Sequence, residues 1–271
     1  MPNDRPHEEN QAMSTPSPFL QTALDAARAG EAVIRKYWQQ SVDVELKEDQ
    51  SPVTIADIET EQAIKGLIAD RFPEHGFFGE ETGKTRADAE YNWLVDPIDG
   101  TKSFVRDYPF FSTQIALMRG DEFVLGVSNA PIFGEMAFAE RGRGAYWQDR
   151  EARVSQIESL PQATLSIGNV RTLAADARGW QGLAELIGQV TRIRGYGDFY
   201  HYHLLARGSI DLVLESDVNI LDIAALSVIV QEAGGLFTDL DGQPLNLDTT
   251  TVCAAATPAL HRQAMKAVGR G

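Results

Sequence analysis

The chain has 271 residues, of which 43% are apolar, so it can bury a substantial core without disulfide staples. Its formal net charge of -15 argues against binding to nucleic acid or to an anionic membrane through a broad positively charged surface. An anionic ligand would need a local source of positive charge, and bound metal ions are one such source.

The chain has one cysteine, Cys253, which excludes an internal disulfide and argues against a thiolate zinc site. It has no apolar run of about 18 residues, and its N-terminus lacks the basic and apolar regions of a signal peptide. We therefore expect a cytoplasmic protein with no membrane or nucleic-acid partner. Residues 1–17 are polar, rich in proline and without periodicity, which predicts a disordered leader.

Residues 18–150 are predicted to form an α+β subdomain with a mainly antiparallel sheet. Helical spacing of apolar residues favours a helix over Phe19–Trp38 and a second over Ser51–Phe72, with a strand at residues 42–47 between them. Strand patterns follow at Phe77–Gly79, Tyr91–Val95, Ser112–Met118, Phe123–Ser128 and Glu135–Ala139. Several of the connections are too short for a crossover helix, so the strands should run antiparallel.

Residues 151–271 alternate between strand and helix patterns, which predicts an α/β subdomain that shares an interface with the first. The predicted strands are residues 163–169, 210–215, 235–239 and 251–256. The predicted helices are residues 180–189, 200–206, 222–234 and 258–268.

The segment WLVDPIDGTKSF, residues 93–104, places Asp96 and Asp99 at the end of a predicted strand. Pro97 fixes its own φ and biases Asp96 toward extended backbone, so the chain must turn there. Taken alone, two aspartates on a turn are explained by Asx-turn and N-cap hydrogen bonding.

An anion seat is predicted directly after this turn. Gly100 permits close approach of backbone to a ligand, and Thr101, Lys102 and Ser103 can present N–H groups where a short helix would begin. The Lys102 side chain fits either a phosphate contact or an ordinary exposed lysine.

Two further carboxylates belong to the same pattern. Glu80 follows an apolar strand, and Asp222 stands at the start of a strongly apolar helix, where an N-cap is the simpler role. Together with Asp96 and Asp99 they lie at strand ends and helix starts, where loops converge and where buried like charges need cations. Because Mg²⁺ prefers oxygen ligands and works beside phosphate, the sequence predicts a magnesium site next to the anion seat.

Five motifs in this order resemble the inositol monophosphatase superfamily of Mg²⁺-dependent, lithium-sensitive phosphatases. They are GEE at 79–81, DPIDGT at 96–101, LDIAA at 221–225, EAGG at 232–235 and AAATPALH at 254–261. The resemblance covers nearly the whole chain. It implies a mixed α+β fold, a layered α-β-α-β-α sandwich, and leads us to expect a homodimer.

The resemblance also implies roles for individual residues. The implied metal ligands are Glu80, Asp96, the backbone carbonyl of Ile98, Asp99 and Asp222. Gly100 and Thr101 would bind phosphate through backbone N–H groups, and Asp57, in the segment TIAD, would orient Thr101 or a water. Catalysis would then use Glu80, Thr101 and Asp57 with a water activated by roughly two to three Mg²⁺ ions.

The segments DGTKSF and YPFFSTQIAL are similar to bacterial histidinol phosphate phosphatases, as is the stretch over residues 196–215. This implies that Asp198 and Glu215 contact the substrate, and acidic groups suit the ammonium of histidinol. The expected reaction is therefore L-histidinol phosphate to L-histidinol, in histidine biosynthesis. One departure concerns the substrate pocket, because Leu221 stands where many relatives have tryptophan.

Other functions remain open at this stage. The same chemistry would serve inositol 1-phosphate, fructose bisphosphate or 3′-phosphoadenosine 5′-phosphate. A regulatory protein that keeps the fold without turnover is a further alternative, as is a glycosidase that uses two carboxylates and no metal. His201 and His203 are two residues apart on a predicted helix, so they point to different faces and do not form a metal pair.

Overall fold

The structure is a computed structural model that describes residues 15–40, 44–46 and 52–269. Residues 1–14 of the predicted leader lie outside the described residues. Ser17, its last residue, belongs to the fold, because its hydroxyl accepts a hydrogen bond from the N–H of Leu20 and caps the first helix.

The secondary structure alternates between long and very short elements. The helices are α1 (Pro18–Tyr37), α2 (Ile55–Arg71), α3 (Thr101–Phe104), α4 (Arg171–Ala175), α5 (Ala177–Gln189), α6 (Asp198–Ala206), α7 (Ile220–Glu232) and α8 (Pro258–Ala267). The strands are β1 (Val44–Leu46), β2 (Pro52–Thr54), β3 (Gly76–Gly79), β4 (Gly83–Thr85), β5 (Tyr91–Asp99), β6 (Ser112–Arg119), β7 (Glu122–Ala130), β8 (Glu135–Glu140), β9 (Ala145–Trp147), β10 (Arg150–Ala152), β11 (Thr164–Ile167), β12 (Arg192–Arg194), β13 (Leu212–Ser216), β14 (Leu236–Thr238) and β15 (Thr251–Ala255). Within the described residues, no helix combines the length and the apolar character that a bilayer crossing requires.

The fold is built on two large sheets. The larger has eight strands in the order β10-β9-β8-β7-β6-β5-β3-β4, and only the β3–β5 pair in it is parallel. The smaller has five strands in the order β12-β11-β13-β15-β14, with parallel pairing of β11 to both neighbours and antiparallel pairing elsewhere. The antiparallel character predicted for the first half is therefore confirmed. β10 carries the larger sheet two residues past the boundary predicted at residue 150.

Alternating side chains of the larger sheet face two different helical layers. Trp93 and Val95 of β5 share a core with Leu24 of α1 and Ile64 of α2. Leu94, between them in the chain, points to the opposite face and joins the core of α6 and α7. β5 is therefore buried on both faces and is held rigidly where it ends.

The smaller sheet repeats this arrangement on the other side of α6 and α7. Val213 of β13 packs in the core of α7, whereas Leu212 and Leu214 pack with Leu186 of α5 and Leu260 of α8. The layers therefore run α-β-α-β-α, as predicted. The end of β5 and the first turn of α7 meet at the boundary between the larger sheet and the central helices.

The prediction for the second helix was wrong at its start. Residues 52–54 form β2, which pairs antiparallel with β1, and the helix begins at Ile55 with Thr54 as its N-cap. The short elements β4, β9, β10, β12 and α4 were not predicted, because three to five residues carry no readable periodicity.

Candidate active site

The end of β5 forms a tight turn that presents two buried carboxylates. Asp96 pairs with Gln114 of β6 and Asp99 pairs with Ser112, so β5 carries one more residue than β6 over this stretch and bulges. The Asp96 carboxylate accepts a hydrogen bond of 2.9 Å from the N–H of Ile98. The side chains of Asp96 and Asp99 thus leave the sheet at the same end while remaining only 3% and 9% exposed.

Gly100 closes the turn in a conformation that favours glycine. Its φ is +96°, and a Cβ at this position would lie 2.6 Å from the carbonyl oxygen of Phe110. The Gly100 carbonyl accepts hydrogen bonds from the N–H groups of Ser103 and Phe104, which starts α3. The amide of Ser103 is therefore used by the turn, and the predicted anion seat loses that donor.

Asp57 reaches the turn from α2. It is the third helical residue in a capping box, in which its Oδ2 accepts hydrogen bonds from both the N–H and the hydroxyl of Thr54, at 2.8 and 2.7 Å. Its Oδ1 lies 3.0 Å from the hydroxyl of Thr101, which donates to it. The structure thus joins Asp57 and Thr101, as the family resemblance implies.

Asp222 is held by a second capping box at the start of α7. Asn219, not Asp222, is the N-cap, which corrects the simpler role considered for Asp222. Asp222 is the third helical residue, and its Oδ2 accepts a hydrogen bond of 2.9 Å from the N–H of Asn219. The capping box aims the free side of this carboxylate at the end of β5.

Asp96, Asp99 and Asp222 form an acidic cluster. One carboxylate oxygen from each lies within 4.8 Å of the corresponding oxygens of the other two. Burial, and then the charge of Glu80, raises the pKa of Asp96 well above its usual range. Burial and the charge of Asp222 do the same to the pKa of Asp99, and burial raises the pKa of Asp222 to about 7.

Glu80 stands at the edge of this cluster. It directly follows β3, and its N–H donates to the carbonyl of Val95 on the neighbouring strand at 3.1 Å. Burial, and after it the charge of Glu80, raises the pKa of both Asp57 and Asp96. Three of the four carboxylates predicted as metal ligands therefore converge, and the Ile98 carbonyl in the same turn lies 3.1 Å from the Thr101 hydroxyl.

The donor set of the acidic cluster fits a hard divalent cation. Within the described part of the chain, no Lys, Arg or His forms an ion pair with any of its three carboxylates. Several buried anions without a positive partner repel one another and favour their protonated forms. A cation with a preference for carboxylate oxygen, such as Mg²⁺, removes that repulsion.

An acidic pocket of about 50 Å³ is lined by Asp99 and Asp222 of the cluster together with Asp198 and Glu215. Burial, followed by the charge of Glu215, raises the pKa of Asp198 to about 6. Asp198 also has a φ of +46°, in the left-handed region that Asp adopts more readily than most residues other than glycine. The two residues predicted to contact substrate therefore lie together and next to the acidic cluster.

Sequence reasoning missed the residues that hold Glu215. The hydroxyl of Tyr202 donates to Glu215 Oε2 at 2.8 Å, and the N–H of Asn169 donates to Oε1 at 3.1 Å. His201 Nε2 lies 3.2 Å from the same carboxylate. The sequence carried no signal for these contacts, because they join β13 to elements 13 to 46 residues away.

His203 points away from His201, as their spacing predicted. Its Nε2 lies 2.8 Å from the hydroxyl of Ser128, and its Nδ1 lies 3.5 Å from Glu135. Burial lowers the pKa of His203, so the ring is neutral at pH 7. It joins a buried polar network between α6 and the larger sheet.

A larger cavity of about 290 Å³ lies elsewhere, between the end of α2 and the strands β3 and β4. It is lined mainly by apolar and aromatic side chains, and none of the predicted site residues lines it. Convergent titratable groups, and not cavity volume, therefore identify the candidate active site.

Comparisons with known proteins agree with this geometry. The sequence profile of the inositol monophosphatase family matches residues 15–270. A histidinol-phosphatase of Mycobacterium tuberculosis is 37% identical over 241 residues, which cover 85% of this chain and 90% of that protein. A fructose-1,6-bisphosphatase/inositol-1-monophosphatase of Aquifex aeolicus is 30% identical and covers 90% of this chain and 92% of its own. The crystal structure of the extragenic suppressor protein suhB from Bartonella henselae has a TM-score of 0.85 and 30% identity, and covers 94% of this chain and all of that one.

The five-layer fold and these relatives define the chain as a phosphoric monoester hydrolase. It belongs to the inositol monophosphatase family, whose members are metal-dependent phosphatases.

Proposed function

We propose that this protein is a Mg²⁺-dependent phosphatase that converts L-histidinol phosphate to L-histidinol in the cytoplasm. The observation that carries the proposal is the acidic pocket, which continues directly from the acidic cluster. A substrate phosphate at the cluster would place the rest of the molecule against Asp198 and Glu215. Two carboxylates there favour a substrate with an ammonium group, because a buried cation needs anionic partners. The similarity to a histidinol-phosphatase supports the same substrate.

The metal ligands we propose are Glu80, Asp96, the Ile98 carbonyl, Asp99 and Asp222. Roughly two to three Mg²⁺ ions bound there would supply charge neutralisation and an activated water for hydrolysis of the ester. The rigid turn at the end of β5 keeps Asp96 and Asp99 in place before any ligand arrives. The capping box of α7 does the same for Asp222.

The other residues bind and orient. The amides of Gly100 and Thr101 would hold the phosphate next to the start of α3. Asp57 fixes the Thr101 hydroxyl by accepting its proton in a hydrogen bond, so the Thr101 oxygen keeps its lone pairs free for a water. Glu80 and Thr101 would then position that water for in-line attack on phosphorus. Asp198 and Glu215 would orient the leaving alcohol, with Glu215 fixed by Tyr202.

The test is a substrate panel with Mg²⁺. We expect kcat/KM for L-histidinol phosphate to exceed that for myo-inositol 1-phosphate, fructose 1,6-bisphosphate and 3′-phosphoadenosine 5′-phosphate by about tenfold or more, which is on the order of 1.4 kcal/mol. Asp198→Asn should reduce this preference without abolishing turnover. Asp121→Asn, a change in an exposed turn, is the matched control. Equal or reversed efficiencies would overturn the proposed substrate.

A second candidate is an inositol or fructose phosphate substrate, which the similarity to the Aquifex aeolicus enzyme favours. The same panel decides between the two. A member of the fold without turnover would hydrolyse none of the four compounds. We also propose a homodimer, on the resemblance to the family, and light scattering should give about twice the chain mass of 29.8 kDa.

A further inference from the structure

A buried carboxylate outside the acidic cluster contacts the segment that carries Glu80. Glu61 lies on α2, one helical turn after Asp57, and its side chain is fully buried. Its Oε2 accepts a hydrogen bond of 2.8 Å from the N–H of Glu81, and its Oε1 accepts one of 2.9 Å from the N–H of Thr82. These are the two amides that directly follow Glu80 in the chain.

The residue before Glu80 is packed against the same carboxylate. A Cβ on Gly79 would lie 2.5 Å from the carboxylate carbon and from both oxygens of Glu61. Only glycine leaves room for this approach. The backbone is therefore fixed by Glu61 on both sides of Glu80, and the N–H of Glu80 itself is bonded to Val95.

The chemistry of this contact suits a positioning role better than a packing role. Burying a carboxylate is unfavourable, and two charge-assisted hydrogen bonds from backbone N–H groups offset that penalty. If the site required only a filled volume, an apolar side chain would serve at lower cost. A carboxylate with both oxygens engaged sets two consecutive amides at once, which defines where the turn lies and how it is oriented.

We propose that Glu61 is the positioning residue for Glu80: it holds the backbone of residues 79–82 and so fixes where the Glu80 carboxylate lies. This inference rests on the proposed role of Glu80 as a metal ligand. Glu61 itself does not join the acidic cluster, so it acts through the backbone of the neighbouring segment. Residues that orient metal ligands typically change metal affinity by about 10- to 100-fold when they are replaced.

Glu61→Gln in the full-length protein tests the proposal. A glutamine has one acceptor oxygen, so its NH₂ group would face one of the two amides, donor against donor, and the turn would shift. We expect the Kd for Mg²⁺, measured by titration calorimetry, to rise about tenfold or more. At saturating Mg²⁺, KM for the phosphate ester should change less than about twofold, because the substrate contacts are elsewhere.

Glu59→Gln is the matched control, since Glu59 lies on the same helix, its side chain is 38% exposed and it pairs with Lys36 at the surface. It should leave the Mg²⁺ affinity unchanged. Glu61→Asp keeps the charge on a shorter side chain and should lie between the wild type and Glu61→Gln. If the glutamine variant does not fold, Glu61→Asp tests the proposal by the same measurements.

Three results separate the hypotheses. A raised Kd for Mg²⁺ in the Glu61 variants, with native circular dichroism, supports the positioning role. An unchanged Kd combined with a lower melting temperature would mean that Glu61 only stabilises the fold, and the proposal would be wrong. Absence of Mg²⁺ binding by the wild-type protein would instead overturn the proposed function, and this inference with it.

Discussion

The acidic cluster and Glu61 are both buried carboxylate sites, but their surroundings differ. Asp96 and Asp99 face other carboxylates, and burial together with like charge raises the pKa of each. Glu61 is more deeply buried than either, yet both of its oxygens accept hydrogen bonds from backbone amides. Burial alone therefore does not identify a metal ligand. What distinguishes the cluster is that its carboxylates repel one another and form no ion pair with a cationic side chain in the part of the chain that the structure describes.

Asp57 is intermediate between the two. It accepts hydrogen bonds from Thr54 and Thr101, but burial and the charge of Glu80 still raise its pKa. Asp57 therefore accepts hydrogen bonds, as Glu61 does. It is also repelled by a neighbouring carboxylate, as the members of the acidic cluster are. This fits a residue that orients a hydroxyl beside a metal site rather than one that binds the metal.

The largest effect should come from Asp96→Asn. The change removes a charge from the proposed metal ligands while an amide oxygen can still accept the N–H of Ile98. We expect kcat/KM with Mg²⁺ to fall on the order of 10³-fold or more, which corresponds to about 4 kcal/mol of transition-state stabilisation. Excess chelator should likewise abolish wild-type activity.

The same variant should be more stable than the wild type when no metal is present. Removing one of several buried like charges relieves repulsion, so the melting temperature in chelator should rise by an amount that corresponds to about 1–3 kcal/mol. Asp121→Asn should change neither quantity. Full activity of Asp96→Asn, or of the wild type in chelator, would contradict the assignment of Asp96.

Gly79→Ala should have a smaller effect that depends on Glu61. In the wild type the added methyl group meets the Glu61 carboxylate, so the change should reduce the free energy of unfolding by about 1–3 kcal/mol. In a Glu61→Ala background the carboxylate is absent, and the added cost should nearly vanish. A double-mutant cycle by urea unfolding measures the coupling. Additive effects would show that the two residues do not share this contact.

The smallest predicted effect is a pH dependence of metal-free stability. The pKa of Asp222 is raised from 3.8 to about 7, so the folded state keeps a proton that the unfolded state loses between these values. Because the unfolded state then binds fewer protons, the free energy of unfolding should fall as pH rises through this window and level off above about pH 7.

Asp222→Asn removes this titration together with the negative charge that helps to raise the pKa of Asp99, after burial, so the stability of the variant should depend less on pH. Relative to the variant, the wild type in chelator should lose more stability between pH 4 and pH 7, seen as a larger fall in melting temperature over that range. Parallel pH profiles for the two proteins would contradict the raised pKa.

The sequence predicts those parts of the site that depend on residues close to one another in the chain. Pro97 and Gly100 favour a turn through their own backbone preferences, so the turn that presents Asp96 and Asp99 was predicted. The capping box of Thr54 and Asp57 also uses neighbouring residues, but the helix predicted from Ser51 missed it. The strands from β5 to β8 were predicted, because each has enough apolar residues to be recognised.

The parts that the sequence does not predict depend on partners far along the chain. β2 is a strand only because β1 pairs with it, so helical propensity wrongly extended α2 back to Ser51. Glu61 follows Asp57 by one helical turn, which places both on one face, but its amide partners come 20 and 21 residues later. The contacts of Tyr202 and Asn169 with Glu215 are likewise visible only after folding.

The paired capping boxes of α2 and α7 set a limit on how this chain can vary in length. Each residue inserted between Asn219 and Asp222 would rotate the carboxylate by about 100° around the helix axis and turn it away from β5. An insertion before Asn219 does not change the direction in which Asp222 points around the helix axis, because the cap fixes where the helix begins. Natural variants should therefore tolerate longer loops before the caps while keeping the three-residue interval inside each box.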